Sequence, residues 1–168
     1  KVKGEDAYIL AWTTTPWTLP SNVALCVNPD EDYVKVTSKG YTYYMAAALV
    51  DTVLGEGAEI LEHYQGKDLE FKEYEPLFPY AEKRIGNKKA YYVVCDTYVT
   101  LTDGTGVVHI APAFGEDDSK VGHRYDLPFV QLVNEKGEMT EETPWAGTFC
   151  KKADMAVLQA LEDKDLLF

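Results

Sequence analysis

With 168 residues, 46% of them hydrophobic, and only 12 glycines and 8 prolines, the chain has an ordinary globular composition, long enough to bury about two-thirds of the surface that its unfolded form exposes. A formal net charge of -12, from 28 acidic against 16 basic residues, excludes a protein that grips a nucleic-acid backbone through a broad basic face. Cys26, Cys95 and Cys150 have no CxxC or Cys–His metal spacing and read as buried thiols, and with no apolar run near the ~20 residues of a membrane span and no leader pattern, a cytosolic protein is expected.

The chain opens Lys1-Val2-Lys3-Gly4 and its first methionine is Met45, which suggests a piece excised from something larger. No repeat or linker divides it, so a single domain over 1–168 is expected. Residues 8–13 are apolar, aromatic and β-branched and predict a strand, broken by Pro16 and Pro20. Further strands are predicted at 23–27, 33–37, 41–45, 58–64, 90–95 and 106–111, separated by turns such as Asn28-Pro29-Asp30 and Ser38-Lys39-Gly40. Helices are expected at 46–54, stopped by Gly55, at 116–125, and at 151–163, where Ala153, Ala156, Val157, Ala160 and Leu161 share one face. Residues 73–89, charged and carrying Pro76 and Pro79, read as a surface excursion. The fold class is therefore mixed α/β and β-rich, a barrel-like sheet or sandwich with a few peripheral helices.

Two segments stand out chemically. The first, Trp12-Thr13-Thr14-Thr15-Pro16-Trp17-Thr18-Leu19-Pro20-Ser21-Asn22, concentrates five hydroxyls, two indoles and an amide in eleven residues. On a strand Thr13 and Thr15 would share one face and Thr14 the other, with Pro16 keeping Thr15 extended. Such a wall of stiff hydroxyls suits substrate or water binding; equally, β-branched residues can simply fill a strand. The second, Asp103-Gly104-Thr105-Gly106-Val107-Val108-His109 continuing through Ala111-Pro112 to Gly115-Glu116-Asp117-Asp118, is a glycine turn, a strand and an acidic helix start. It matches no phosphate-binding glycine pattern. The acidic pair fits helix capping, or a counter-charge for an ammonium group beside a pocket. His109 would face away from a core built by Val108 and Ile110, and His63 and His123 have no partner pattern.

Together the two segments resemble the core motifs of the editing domain shared by the isoleucyl-, valyl- and leucyl-tRNA synthetases. Thr13-Thr14-Thr15-Pro16-Trp17-Thr18-Leu19-Pro20 is similar to the isoleucyl form, with Thr15 where the others carry arginine. The resemblance runs along the whole chain. It implies hydrolytic deacylation of valine misattached to tRNA(Ile), with valyl-adenylate as a further substrate. It implies that Asp118 anchors the α-ammonium; that Thr13, Thr14 and Thr15 contact the terminal adenosine and the reacting ester or its water; that Asn22 lies nearby; and that Thr18 and His109 bound the side-chain pocket. It implies no cofactor and no metal, partners in the 3′ end of tRNA(Ile) and the remainder of the synthetase chain, no membrane, and a monomer as an isolated domain. Ala113-Phe114, where many bacterial sequences carry Gly-His, and Ser119 depart from the common pattern. A valyl-type editing domain, or a non-catalytic acidic β-rich binding module, are the rival readings.

Overall fold

The computed structural model describes residues 1–168. The chain divides into two compact units, each assembled from three stretches. The first comprises Lys1–Thr13, Ala24–Glu75 and Tyr91–His109; the second comprises Thr14–Val23, Pro76–Ala90 and Ile110–Phe168.

The first unit carries seven short strands: β1 (Tyr8–Ile9), β2 (Ala24–Val27), β3 (Asp32–Ser38), β4 (Tyr41–Ala46), β5 (Glu59–Gln65), β6 (Tyr92–Cys95) and β7 (Val107–Ile110, whose last residue is assigned to the second unit). They form two sheets, of order β1-β4-β3-β5 and β6-β2-β7. The sequences of β2 and β6, Ala-Leu-Cys-Val and Tyr-Val-Val-Cys, are buried at every position and pair in parallel, the arrangement in which strands read as continuous apolar runs rather than alternating ones. β3 is antiparallel to both β4 and β5, and its Tyr33, Val34 and Val36 are fully buried.

The barrel expected from the sequence does not close. β5 is a true edge: six of its seven residues are exposed, with Glu59 and Glu62 among them, and a charged outer strand discourages further pairing. The other edge fails because the first strand is only two residues long. After Leu10, whose N–H donates to Tyr44 O at 3.2 Å, the chain leaves β4, and Trp12 N–H donates instead to Val107 O at 3.3 Å. The strand predicted over 8–13 is thus divided between two sheets.

A polar tie locks the glycine turn before β7. Tyr33 Oη donates to Gly106 O at 2.5 Å, Thr105 Oγ1 donates to Leu10 O at 2.6 Å, and Ala46 N–H donates to Thr105 O at 2.9 Å. Gly106 has φ +76° and an added Cβ would lie 2.5 Å from Ala46 Cβ, so only glycine fits here. The helix predicted over 46–54 is a 3-10 turn (Ala47–Leu49) followed by α1 (Val50–Leu54), ended by Gly55 at φ +72°.

The second unit is helical. It contains a 3-10 helix at Pro16–Ser21, α2 (Glu82–Ile85), α3 (Glu116–Tyr125) and α4 (Asp154–Asp163, preceded by a 3-10 turn at Cys150–Ala153). On α4 the predicted stripe holds, with Val157 and Leu161 buried beside Ala153. The stretch 73–89 is not a plain surface excursion: Phe78 is 3% exposed, packs with Leu19, Val157 and Leu161, and meets Tyr80 and Trp145 at ring-centroid distances of 5.4 and 5.9 Å. An aromatic anchor inside a charged segment outweighs its mean polarity, because burying one such ring contributes about 1.5–3 kcal/mol. All three cysteines are buried thiols, and no helix is long and apolar enough to cross a membrane.

Candidate functional site

The threonine segment is not the strand that β-propensity predicts. Thr13, Thr14 and Thr15 lie between the Trp12 bridge to Val108 and the 3-10 helix that Pro16 starts, and Thr15 turns the chain with φ -130° and ψ 73°. The expected alternation of hydroxyls across a strand is therefore absent. Proline at the first helical position wins over threonine's strand preference, because its fixed φ suits a helix start and its missing N–H costs nothing there. Thr14 is exposed, while Thr18 and Asn22 are 5% and 4% exposed. Thr18 Oγ1 donates to Thr15 O at 2.9 Å and lies 3.4 Å from Thr15 Oγ1, so two of the hydroxyls form one local cluster.

Asp118 stands in the first turn of α3, three residues after Gly115 at the N-cap. Its Oδ2 accepts a hydrogen bond from the Ala111 N–H at 3.0 Å, which fixes one carboxylate oxygen and the ring of residues 111–118. Burial, followed by the neighbouring charge of Asp117, pushes the Asp118 carboxyl above the usual aspartate range despite the Ala111 bond; no cation is among the groups that shift it. Gly115 has ordinary extended backbone, φ -162°, so its glycine is not needed for conformation. It is needed for space, since an added Cβ would lie 3.1 Å from both Cγ and Oδ1 of Asp118.

The helical unit brings the two sequence segments together. Val23 N–H donates to Ile110 O at 3.0 Å, and the Trp17 ring meets Phe114 edge-on at 5.2 Å. Thr14, Thr15, Thr18, Asn22 and Asp118 thus belong to one compact unit, although the last is about a hundred positions distant in sequence. Thr13 and His109 are the last residues of two stretches of the strand-rich unit. His109 is 8% exposed on β7 and Ile110 is fully buried, whereas Val108 is only half-buried, so the condition under which His109 would face away, with both Val108 and Ile110 turned to the core, is not met. Burial pushes the His109 imidazole down to about 4, so the ring is neutral at pH 7.

Three features near these segments were not read from the sequence. One is a cavity of about 190 Å³ in the strand-rich unit, lined by Trp12, Tyr98, Asp103, Gly104, Thr105 and Val108 among others, and by none of the residues assigned from the sequence. Trp12, 49% exposed, lies against Gly104 at its side. The second is Gly115 as a spacer. The third is Asp154, whose Oδ1 accepts from Trp17 N–H at 2.9 Å. Nothing local in the sequence marks Gly115 as a spacer or Asp154 as a distant cap.

No family model matches the chain. Along its whole length it is 51% identical over 170 residues to an isoleucine–tRNA ligase of Clostridium acetobutylicum, a match covering 100% of this chain and 16% of the relative. It is 42% identical over 164 residues to the isoleucine–tRNA ligase of Picrophilus torridus, with 98% of this chain and 16% of that protein aligned. The chain therefore spans about 16% of the length of these relatives. Among solved structures, the editing domain of the Plasmodium knowlesi cytosolic leucyl-tRNA synthetase superposes with a TM-score of 0.72 at 15% identity, over 95% of this chain and 82% of that one, which shows a shared fold.

Proposed function

We propose, on the premise that the chain belongs to the isoleucyl-tRNA synthetase family as its editing, or connective-peptide, segment, that it hydrolyses the ester joining misattached valine to tRNA(Ile). The observation that carries the reading is Asp118. Its carboxylate is half-buried, is oriented by the Ala111 N–H, and has no cation among its perturbing neighbours. An α-ammonium supplies the missing counter-charge, and a charge-assisted hydrogen bond of this kind is about twice as strong as a neutral one.

An aminoacyl ester is already activated, so a positioned water and stabilisation of the developing oxyanion suffice; no covalent nucleophile is needed. Thr13, Thr14 and Thr15 contact the terminal adenosine and the reacting ester or its water, with Asn22 near the same site. Thr18 and His109 limit the side-chain pocket. Both are buried, and a stiff wall rejects an extra methylene, a discrimination worth about 1–3 kcal/mol for which isoleucine against valine is itself a standard worked case. The net charge of -12 fits entry of the tRNA's 3′ end alone, the rest being held by the remainder of the synthetase.

The test is a deacylation panel in which the protein meets Val-tRNA(Ile), Ile-tRNA(Ile) and Thr-tRNA(Val). Hydrolysis of the first alone is expected. Preference for the third would make this a valyl-type editor, and release of none would leave a binding module.

A further inference from the structure

A 3-10 helix that begins with proline has one conspicuous orphan. Pro16 has no N–H, so Trp17 supplies the first helical donor that needs a partner. The residue before the helix, Thr15, is of the type whose hydroxyl commonly takes such a donor, yet it makes no capping hydrogen bond. Its Oγ1 lies 3.4 Å from Thr18 Oγ1 instead. The cap comes from 137 positions away, where Asp154 Oδ1 accepts from Trp17 N–H at 2.9 Å. Asp154 opens α4, which is seated in the core of its unit by Val157 and Leu161 at 0% and 4% exposure. The cap is therefore carried on a packed element rather than on a loop, and its negative charge suits a helix start.

We infer that Asp154 is a positioning residue for deacylation: by capping Trp17 from α4 it relieves Thr15 of that duty and keeps the Thr15 hydroxyl against Thr18. The inference rests on the proposed role of the threonine segment in handling the ester. Without the Asp154 carboxylate, the Trp17 N–H turns to the side chain at the N-cap position, the Thr15 hydroxyl. It would rotate inward and leave Thr18, so the segment would keep its helix and lose its chemistry.

The test uses the full-length synthetase carrying this segment, with Asp154→Ala, Asp154→Asn, Thr15→Val, and Asp154→Ala combined with Thr15→Val. Single-turnover deacylation of Val-tRNA(Ile) is followed beside hydrogen–deuterium exchange of the peptide spanning residues 12–22. Losing one cap-strength interaction predicts that Asp154→Ala lowers the maximal rate about ten-fold with half-saturation changed less than about two-fold. Asp154→Asn retains wild-type rate and protection, because its amide oxygen accepts the same N–H. In the Thr15→Val background Asp154→Ala adds less than about two-fold, since no hydroxyl remains to be diverted. Full persistence of the Asp154→Ala loss in that background, or an Asp154→Ala rate equal to wild type, overturns the inference. A wild-type protein that deacylates nothing defeats the functional reading instead; the exchange data then decide the tether, and unchanged protection in Asp154→Ala overturns it.

Discussion

Replacing Gly115 with alanine is a small change aimed at one carboxylate. The backbone accepts it without strain, since φ -162° and ψ 149° are ordinary extended values. The new methyl, however, would start 3.1 Å from Asp118 Cγ and Oδ1, about 0.4 Å inside the normal carbon contact of about 3.5 Å. Asp118 cannot retreat at no cost, because Oδ2 is held at 3.0 Å by the Ala111 N–H; a displacement of about 0.4 Å directed away from that donor brings the bond close to its geometric limit. Misplacement by about 1 Å costs on the order of 100-fold in rate, so a shift of about 0.4 Å scales to about six-fold in kcat/KM for Val-tRNA(Ile). Alanine is also a poorer N-cap than glycine, at about 1 kcal/mol, which lowers Tm by about 2–4 °C in a domain of this size. Initial-rate deacylation and a thermal melt on the same sample separate the two effects. Wild-type kcat/KM in a Gly115→Ala protein that melts a few degrees low would refute the idea that the position of Asp118 limits the reaction.

Asp118→Asn keeps an acceptor for Ala111 but removes the charge, and deacylation is expected to fall by at least about 100-fold; retained activity removes Asp118 from the site. The raised carboxyl carries a stability sign as well: the folded state holds the proton more tightly than the unfolded chain, so its contribution is present below the ordinary value of 3.8 and is lost as pH rises above it. Asp118→Asn should therefore gain stability relative to wild type between acid pH and pH 7 in denaturant titrations, and a relative loss would contradict this. His109 works in the other direction. With its imidazole lowered to about 4, folding is favoured above the ordinary 6.5, and on the order of 3 kcal/mol is lost on acidification through that window, a slope that His109→Gln should flatten. Thr18→Ala opens a position that is 5% exposed and should relax rejection of Ile-tRNA(Ile) by about 5- to 150-fold, measured as the ratio of Val to Ile deacylation rates; an unchanged ratio would dismiss Thr18 as a wall.

Much of the secondary structure was legible because its causes are local. The apolar runs of β2 and β6, the residue-for-residue match of α3 from Glu116 to Tyr125, and the buried stripe of α4 all follow from neighbours three or four positions apart or from unbroken hydrophobicity. The two chemically unusual segments stood out in the sequence, their editing role was legible only through resemblance to the family's motifs, and the fold places most of their assigned residues in one unit. Tertiary structure decided the rest. Whether strands close into a barrel depends on which edges find partners, and the transfer of hydrogen bonding from Tyr44 to Val107 has no sequence period. Threonines 13–15 carry strand propensity, but Pro16 and a carboxylate 137 positions from Trp17 make the segment a capped turn. Phe78 looks like part of a charged loop until Leu19, Val157 and Leu161 surround it. A short-range pattern records what a residue can do with its neighbours in the chain; burial and capping by distant residues are written only in three dimensions, because closing those long loops is driven by the packing of the whole unit.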